Sequence, residues 1–214
     1  VYHIDSRTID NSNDVVSNAR IYDLDESLVA SGYPMRTETQ DLYGCEFDEK
    51  DLTRGHRLSE LATKLSNPAH EQFLSGITVA FDLTLSCKAW IEAERYRYLV
   101  FVSSESTMHR IAKFDIASQC NEYVDERIID ILREKIDRYN NSESGSSKDE
   151  LYLDVLYNIP SGFRLTARMT TNYRCLKNIY RQRKTHRLPE WRKFCDWIET
   201  LPYAKELLLT EDDE

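Results

Sequence analysis

Apolar and polar residues alternate most regularly over residues 76–86. Ile77, Val79, Phe81, Leu83 and Leu85 point one way, and Thr78, Ala80, Asp82 and Thr84 the other. A two-residue period is the mark of a half-buried strand. Elsewhere the period is helical. Leu58, Leu61 and Leu65 predict a short helix over 58–65, stopped by Pro68. Residues 87–97 predict another, with Trp90, Ile91 and Glu94 at helical spacing. A long amphipathic helix is expected over 121–139, burying Val124, Ile128, Ile131, Leu132 and Ile136. Residues 149–158 read as helical, ended by Pro160. Pro189 suits the first position of a last helix, whose Trp191, Phe194, Cys195 and Ile198 make one apolar face. The apolar run 99–102 leads into a hydroxyl-rich loop, 103–107. Residues 140–148, NNSESGSSK, are the low-complexity segment and predict an exposed, mobile loop. Residues 1 to about 55 read as short elements and loops, and the acidic tail 210–214 as frayed. The fold class expected is α+β, a central sheet flanked by helices, as a single domain over 1–214.

The stretch 169–191, MTTNYRCLKNIYRQRKTHRLPEW, organises the rest. It predicts a helix from about Tyr173 to His186, with Thr170, Thr171 or Asn172 as cap and Pro189 as stop. At roughly 100° per residue, Arg174, Asn178 and Arg181 share one stripe, and Leu176, Ile179 and Arg183 the opposite one. A guanidinium on an apolar stripe needs a partner, because an unpaired buried charge is costly. Either Arg183 snorkels out at the helix end, or something it binds explains its place.

Composition narrows the class. The chain has 214 residues, enough for a sizeable core, with 41% hydrophobic and 30% charged residues, as in ordinary globular proteins. A formal net charge of −9 argues against general nucleic-acid binding and makes the basic run 174–187 stand out. The five cysteines, Cys45, Cys87, Cys120, Cys175 and Cys195, form no CxxC pair. They point to reduced thiols in a cytoplasmic setting, with no zinc site or disulfide frame. No apolar run approaches membrane-spanning length and no signal-peptide pattern opens the chain, so no membrane partner is expected.

Two basic clusters carry candidate chemistry. One is Arg95-Tyr96-Arg97, followed by Ser103, Ser104, Ser106, His109 and Arg110; the other is the helix at 173–186. Arginines beside hydroxyls, together with His70, suit a phosphorylated ligand. With no Walker loop or GxGxxG, a nucleotide would not be held by a glycine-rich turn.

These residues resemble the flavin-dependent thymidylate synthases, with gaps, from about residue 17 to 197. The likeness includes SNARIY at 17–22, AHEQF at 69–73 and the strand that follows. Arg95-Tyr96-Arg97 is similar to the family's Arg-His-Arg signature. Residues 103–108 resemble its later Glu-x-Ser-x-Arg part, with about one residue inserted. The run TTNYRCLKNIYRQRKTH resembles the family's helix of cofactor-binding Asn and Arg residues. The resemblance implies that FAD is contacted by His70, Arg95, Arg97, Asn172, Arg174 and Asn178. It implies that Arg183 and Ser106 serve catalysis, and that Glu92, Ser104, Glu105, Ser106, Arg110 and Arg183 meet a pyrimidine deoxynucleotide. NADPH and methylenetetrahydrofolate are the implied co-substrates, and a homotetramer with active sites between subunits the implied assembly. For His70 and Ser106 the alternatives are a hydrogen-bonded structural histidine and a loop-capping serine; Glu105 could instead cap the helix after it.

The chain departs from the pattern at Tyr96 for histidine, Met108 for arginine, Glu92 for glutamine and Leu156 for arginine. A lost charge-assisted hydrogen bond is worth roughly 1.5–3 kcal/mol. Either Arg110 or His109 compensates, or the substrate is not dUMP. A carboxylate at Glu92 would accept from the exocyclic amine of dCMP. The expected function is thus one-carbon transfer to C5 of a pyrimidine deoxynucleotide, dUMP to dTMP or a close variant. The competing class is a non-catalytic flavin- or nucleotide-binding relative, or a basic-helix RNA binder.

Overall fold

The computed structural model describes residues 6–35, 71–143 and 145–209, together with 49, 50, 52, 53, 55 and 57. The expected helix at 58–65 and the acidic tail lie outside the described residues, as do His70 and Cys45. Among the described residues there are five strands: β1 (Ser6–Ile9), β2 (Val16–Tyr22), β3 (Thr78–Ser86), β4 (Val100–Ser104) and β5 (Arg164–Asn172). They form one sheet in the order β1-β2-β3-β5-β4. β1 and β2 are antiparallel, with Ser6 opposite Tyr22 and Ile9 opposite Ala19. Mixed with helices, this is the α+β class read from the sequence. Among the described residues no helix is long and apolar enough to cross a membrane.

The described residues divide into two compact units. The first draws on Val1–Asp82, Tyr96–Val100 and Met169–Glu214, the second on Leu83–Arg95 and Phe101–Arg168, so the division falls within β3, β4 and β5.

In the first unit, α1 (Leu24–Ala30) follows β2, and a 3₁₀ turn, Gln72–Ser75, precedes β3. The alternation that predicts β3 is observed, with Ile77, Val79 and Phe81 wholly buried. The unit's C-terminal part holds α7 (Tyr173–Arg183), α8 (Pro189–Glu199) and α9 (Ala204–Leu207), the element numbers running on from those of the second unit. The face expected of α8 is buried at all four positions, Trp191, Phe194, Cys195 and Ile198. Phe194 stacks on Trp197 with ring centres 5.6 Å apart, and Phe81 lies 5.0 Å from Trp197. That helix is not the last, because α9 follows it. Burial pushes the Cys195 thiol up to about 12.

The second unit contains α2 (Cys87–Ala93), α3 (Thr107–Arg110), α4 (Ile116–Gln119), α5 (Glu126–Asn140) and α6 (Ser146–Leu156). Its core is built from Ile111, Ile116, Cys120, Leu132, Ile136, Val155 and Phe163. A Cβ on Gly162 would come within 2.5 Å of Val124 Cγ2 and 2.7 Å of Asn121 Oδ1, which explains glycine there. Several sequence expectations are corrected. α5 begins only after Asp125, whose Oδ1 accepts from Arg127 N. Its inward face runs through Ile129, Leu132 and Ile136, so Ile128 and Ile131 are exposed rather than buried. α2 stops at Ala93, four residues earlier than residue 97, and buries Ala89 and Ala93 while Ile91 is exposed. The arginine signature therefore stands in a turn. The helix expected at 149–158 starts earlier, at Ser146, which shortens the loop before it. β5 had no sequence expectation, although Ala167, Met169 and Thr171 alternate inward along it.

Candidate functional site

Helix α7 begins where β5 ends. Asn172 closes the strand with extended backbone and caps the helix, its Oδ1 accepting from Cys175 N at 2.9 Å. Tyr173 fixes the entry angle: its N–H donates to Ile77 O at 3.1 Å, and its buried hydroxyl donates to Pro202 O at 2.9 Å. From there the sequence stripe is realised. Leu176 and Ile179 turn inward, whereas Asn178, Arg181 and Gln182 are exposed. Arg174 donates to Gln72 Oε1 at 2.6 Å. Lys177 turns inward and pairs with Glu71 Oε1 at 2.5 Å, the two side chains only 7% and 15% exposed.

Arg183 does not snorkel. It is 9% exposed. Its Nε donates to the Tyr96 hydroxyl oxygen at 2.7 Å. Its guanidinium lies 4.9 Å from the Trp191 ring centre and 5.5 Å from that of Tyr96, within cation–π range of both. Tyr96 and Trp191 meet edge-on at 5.8 Å, so the charge is boxed by two rings. The Tyr96 hydroxyl donates onward to Gln182 Oε1 at 3.0 Å, and Gln182 Nε2 to Asn178 Oδ1 at 3.0 Å. Burial raises the Tyr96 phenol above its ordinary value, and the Arg183 hydrogen bond partly opposes that. Arg97, in the same unit, is exposed and lies 5.6 Å from the Tyr98 ring centre.

The second unit holds the remaining candidates. Glu92 sits on α2, 3.6 Å from Lys88 Nζ, and Arg95 is exposed just beyond the helix. Ser104 ends the edge strand β4, all five residues of which are exposed. Glu105 continues the pairing with β5 by one residue: its N–H donates to Thr166 O at 2.9 Å and its Oε2 accepts from Thr166 N at 2.7 Å. Its carboxylate thus serves the strand pair and does not cap α3. Ser106 precedes α3, where its carbonyl accepts from Arg110 N at 3.1 Å while its hydroxyl makes no capping bond. Arg110, Met108 and His109 are exposed. Leu156 packs against the second unit's core, so the side chain standing for the expected arginine is spent on burial. Among the described residues no group of three or more metal-ligating side chains comes together.

This arrangement of sheet and helices matches solved structures. A flavin-dependent thymidylate synthase from Helicobacter pylori, complexed with FAD and dUMP, superposes with a TM-score of 0.58 at 17% identity, over 87% of this chain and 94% of that one. A thymidylate synthase X structure from the same organism, also with FAD and dUMP, gives 0.60 at 16%, over 93% and 97%. The fold is that of the flavin-dependent thymidylate synthases. Comparison of the sequence with protein families and with curated proteins finds no match.

Within this thymidylate synthase-type fold, the structure joins two of the sequence candidates, Asn178 and Arg183, through two residues that sequence reasoning left without a role. Gln182 had a usable signal, since it stands four residues after Asn178 on the helix and so faces it. Tyr96 registered only as a departure from the thymidylate synthase signature. Nothing local to it, or to Trp191, announces a contact with Arg183.

Proposed function

We propose that the chain binds FAD along the exposed stripe of α7 and catalyses one-carbon transfer to C5 of a pyrimidine deoxynucleotide, dUMP to dTMP or a close variant such as dCMP. The observation that supports this most is that α7 exposes Asn178, leaves Arg174 half-buried against Gln72 and turns Arg183 into the core, at the positions the resemblance assigns. The donor set suits the cofactor: a guanidinium and two carboxamides, at Arg174, Asn172 and Asn178, match the phosphate and carbonyl oxygens of a flavin dinucleotide. Bound there, a reduced flavin supplies hydride chemistry that no side chain offers. Arg183, fixed between two rings, would stabilise negative charge developing on a pyrimidine carbonyl. Ser106, with no capping duty, would hold the nucleotide, assisted by Ser104 and Arg110. NADPH and methylenetetrahydrofolate would be co-substrates, and further subunits of a homotetramer would complete each site.

A second reading has its own observation. Arg183 already has protein partners in Tyr96 and Trp191, which fits a relative that binds flavin or nucleotide without turnover. One experiment separates them. The purified protein is titrated with FAD, then reduced and incubated with methylenetetrahydrofolate and each pyrimidine deoxynucleotide, and the base is weighed by mass spectrometry. Flavin absorbance with a mass gain supports the enzyme; flavin without gain supports the binding relative. A protein left colourless once free FAD is removed, and whose melting temperature is unchanged by FAD and by each deoxynucleotide, refutes both.

A further inference from the structure

A line of hydrogen bonds with a single direction runs from Arg183 to Asn178. Arg183 Nε donates to Tyr96 Oη, Tyr96 Oη to Gln182 Oε1, and Gln182 Nε2 to Asn178 Oδ1. Donor chemistry dictates the direction. A guanidinium has only donors, so the phenol oxygen accepts from Arg183 and has its own proton left to give. Gln182 meets that proton with its carbonyl oxygen, which turns its NH2 group toward Asn178. Asn178 must then receive with its carbonyl oxygen, and its own NH2 becomes the group it offers to a ligand. The Arg183 end is buried, with Tyr96 6% exposed and the guanidinium beside two rings, whereas Asn178 and Gln182 are exposed.

We propose that Tyr96 is a positioning residue. Through Gln182 it sets Asn178 as a hydrogen-bond donor, so that this part of α7 takes a ligand group rich in acceptors. The same hydroxyl holds Arg183, so the orientation of the exposed amide is tied to that of the buried arginine. The identity of the ligand rests on the flavin reading above; the relay does not.

The relay is tested first without cofactor, by ¹⁵N–¹H spectra of the side-chain amides. The Asn178 NH2 signals are identified by their loss in Asn178→Asp. Gln182→Leu, at an exposed position that leaves the core untouched, and Tyr96→Phe should each move those signals. Signals that stay in place in Gln182→Leu overturn the relay, whether or not Tyr96→Phe folds. FAD titration supplies the second readout. Gln182→Leu should weaken binding about tenfold, or about 1.4 kcal/mol, and Asn178→Asp, which replaces a donor with an acceptor, at least as much. Gln182→Leu should add nothing to Asn178→Ala, because both act through one contact; multiplicative losses overturn the proposal. Riboflavin and ADP as separate probes tell whether the ring or the diphosphate is the acceptor recognised. If the unaltered protein takes no FAD, the flavin reading fails while the amide spectra still decide the relay.

Discussion

Replacing Tyr96 with phenylalanine removes one oxygen and leaves every ring contact in place, so its cost can be worked from few interactions. The remaining phenyl ring would keep its edge contact with Trp191 and its place 5.5 Å from the guanidinium. What is lost is the acceptor for Arg183 Nε, a hydrogen bond to a charged donor worth roughly 1.5–3 kcal/mol. At the other end Gln182 is exposed, and water replaces the phenol there. The expected destabilisation is therefore about 2 kcal/mol. At roughly 2–4 °C per kcal/mol for a chain of this size, the melting temperature should fall by about 4–8 °C. Arg183→Met is different in kind, because it removes the charge with its bond. The cost of that change is measured on its own and subtracted in the cycle. With methionine at 183, Tyr96→Phe should cost less than about 0.5 kcal/mol, because only the bond to the exposed Gln182 is left to lose and water replaces it. The cycle should thus show a coupling of about 1–2 kcal/mol. Thermal unfolding followed by tryptophan fluorescence reports on it well, since Trp191 and Trp197 belong to the first unit and only Trp90 to the second. Additivity of the two changes within about 0.5 kcal/mol would refute the idea that Tyr96 and Arg183 act as a pair.

Three further outcomes are expected. Lys177→Met strands the Glu71 carboxylate at 15% exposure and should cost about 2–3 kcal/mol, part of it recovered by adding Glu71→Leu; an unchanged urea midpoint in the single variant would show the pair to be idle. Arg183→Ala should abolish product formation while leaving flavin bound, whereas Arg174→Ala and Asn178→Ala should weaken flavin retention; full turnover in the first, or unchanged affinity in both others, removes those residues from the site. Stability should also fall in alkali. The Cys195 thiol is raised from 9.0 to about 12 by burial, so above pH 9 the unfolded chain loses that proton while the folded chain keeps it. Stability contributed by that group is complete below pH 9 and declines until about pH 12. Cys195→Ala should flatten this decline in a melting series against pH, and an identical slope would exclude the thiol as its source.

The parts of this protein that were legible in the amino-acid order are those where a face repeats over short distances. β3 shows five alternating apolar positions, α8 shows Pro189 followed by Trp191, Phe194, Cys195 and Ile198, and α7 shows Asn172 at its cap with Arg183 on its apolar stripe. Backbone geometry alone translates such spacing into faces. β5 was missed because much of its alternation is carried by alanine and threonine, whose contrast with their neighbours is weak. The inward face of α5 was misjudged because isoleucines occupy Ile128, Ile129 and Ile131, more apolar positions than its neighbours can cover. The resemblance placed Asn178 and Arg183 on one helix, but not the link between them. The hydroxyl that Arg183 meets, that of Tyr96, lies 87 residues away in the chain, and no local period encodes which side chain will meet a buried charge. That choice is made only when distant segments close on one another, where desolvating a guanidinium is tolerable at a position that offers it an oxygen and two rings.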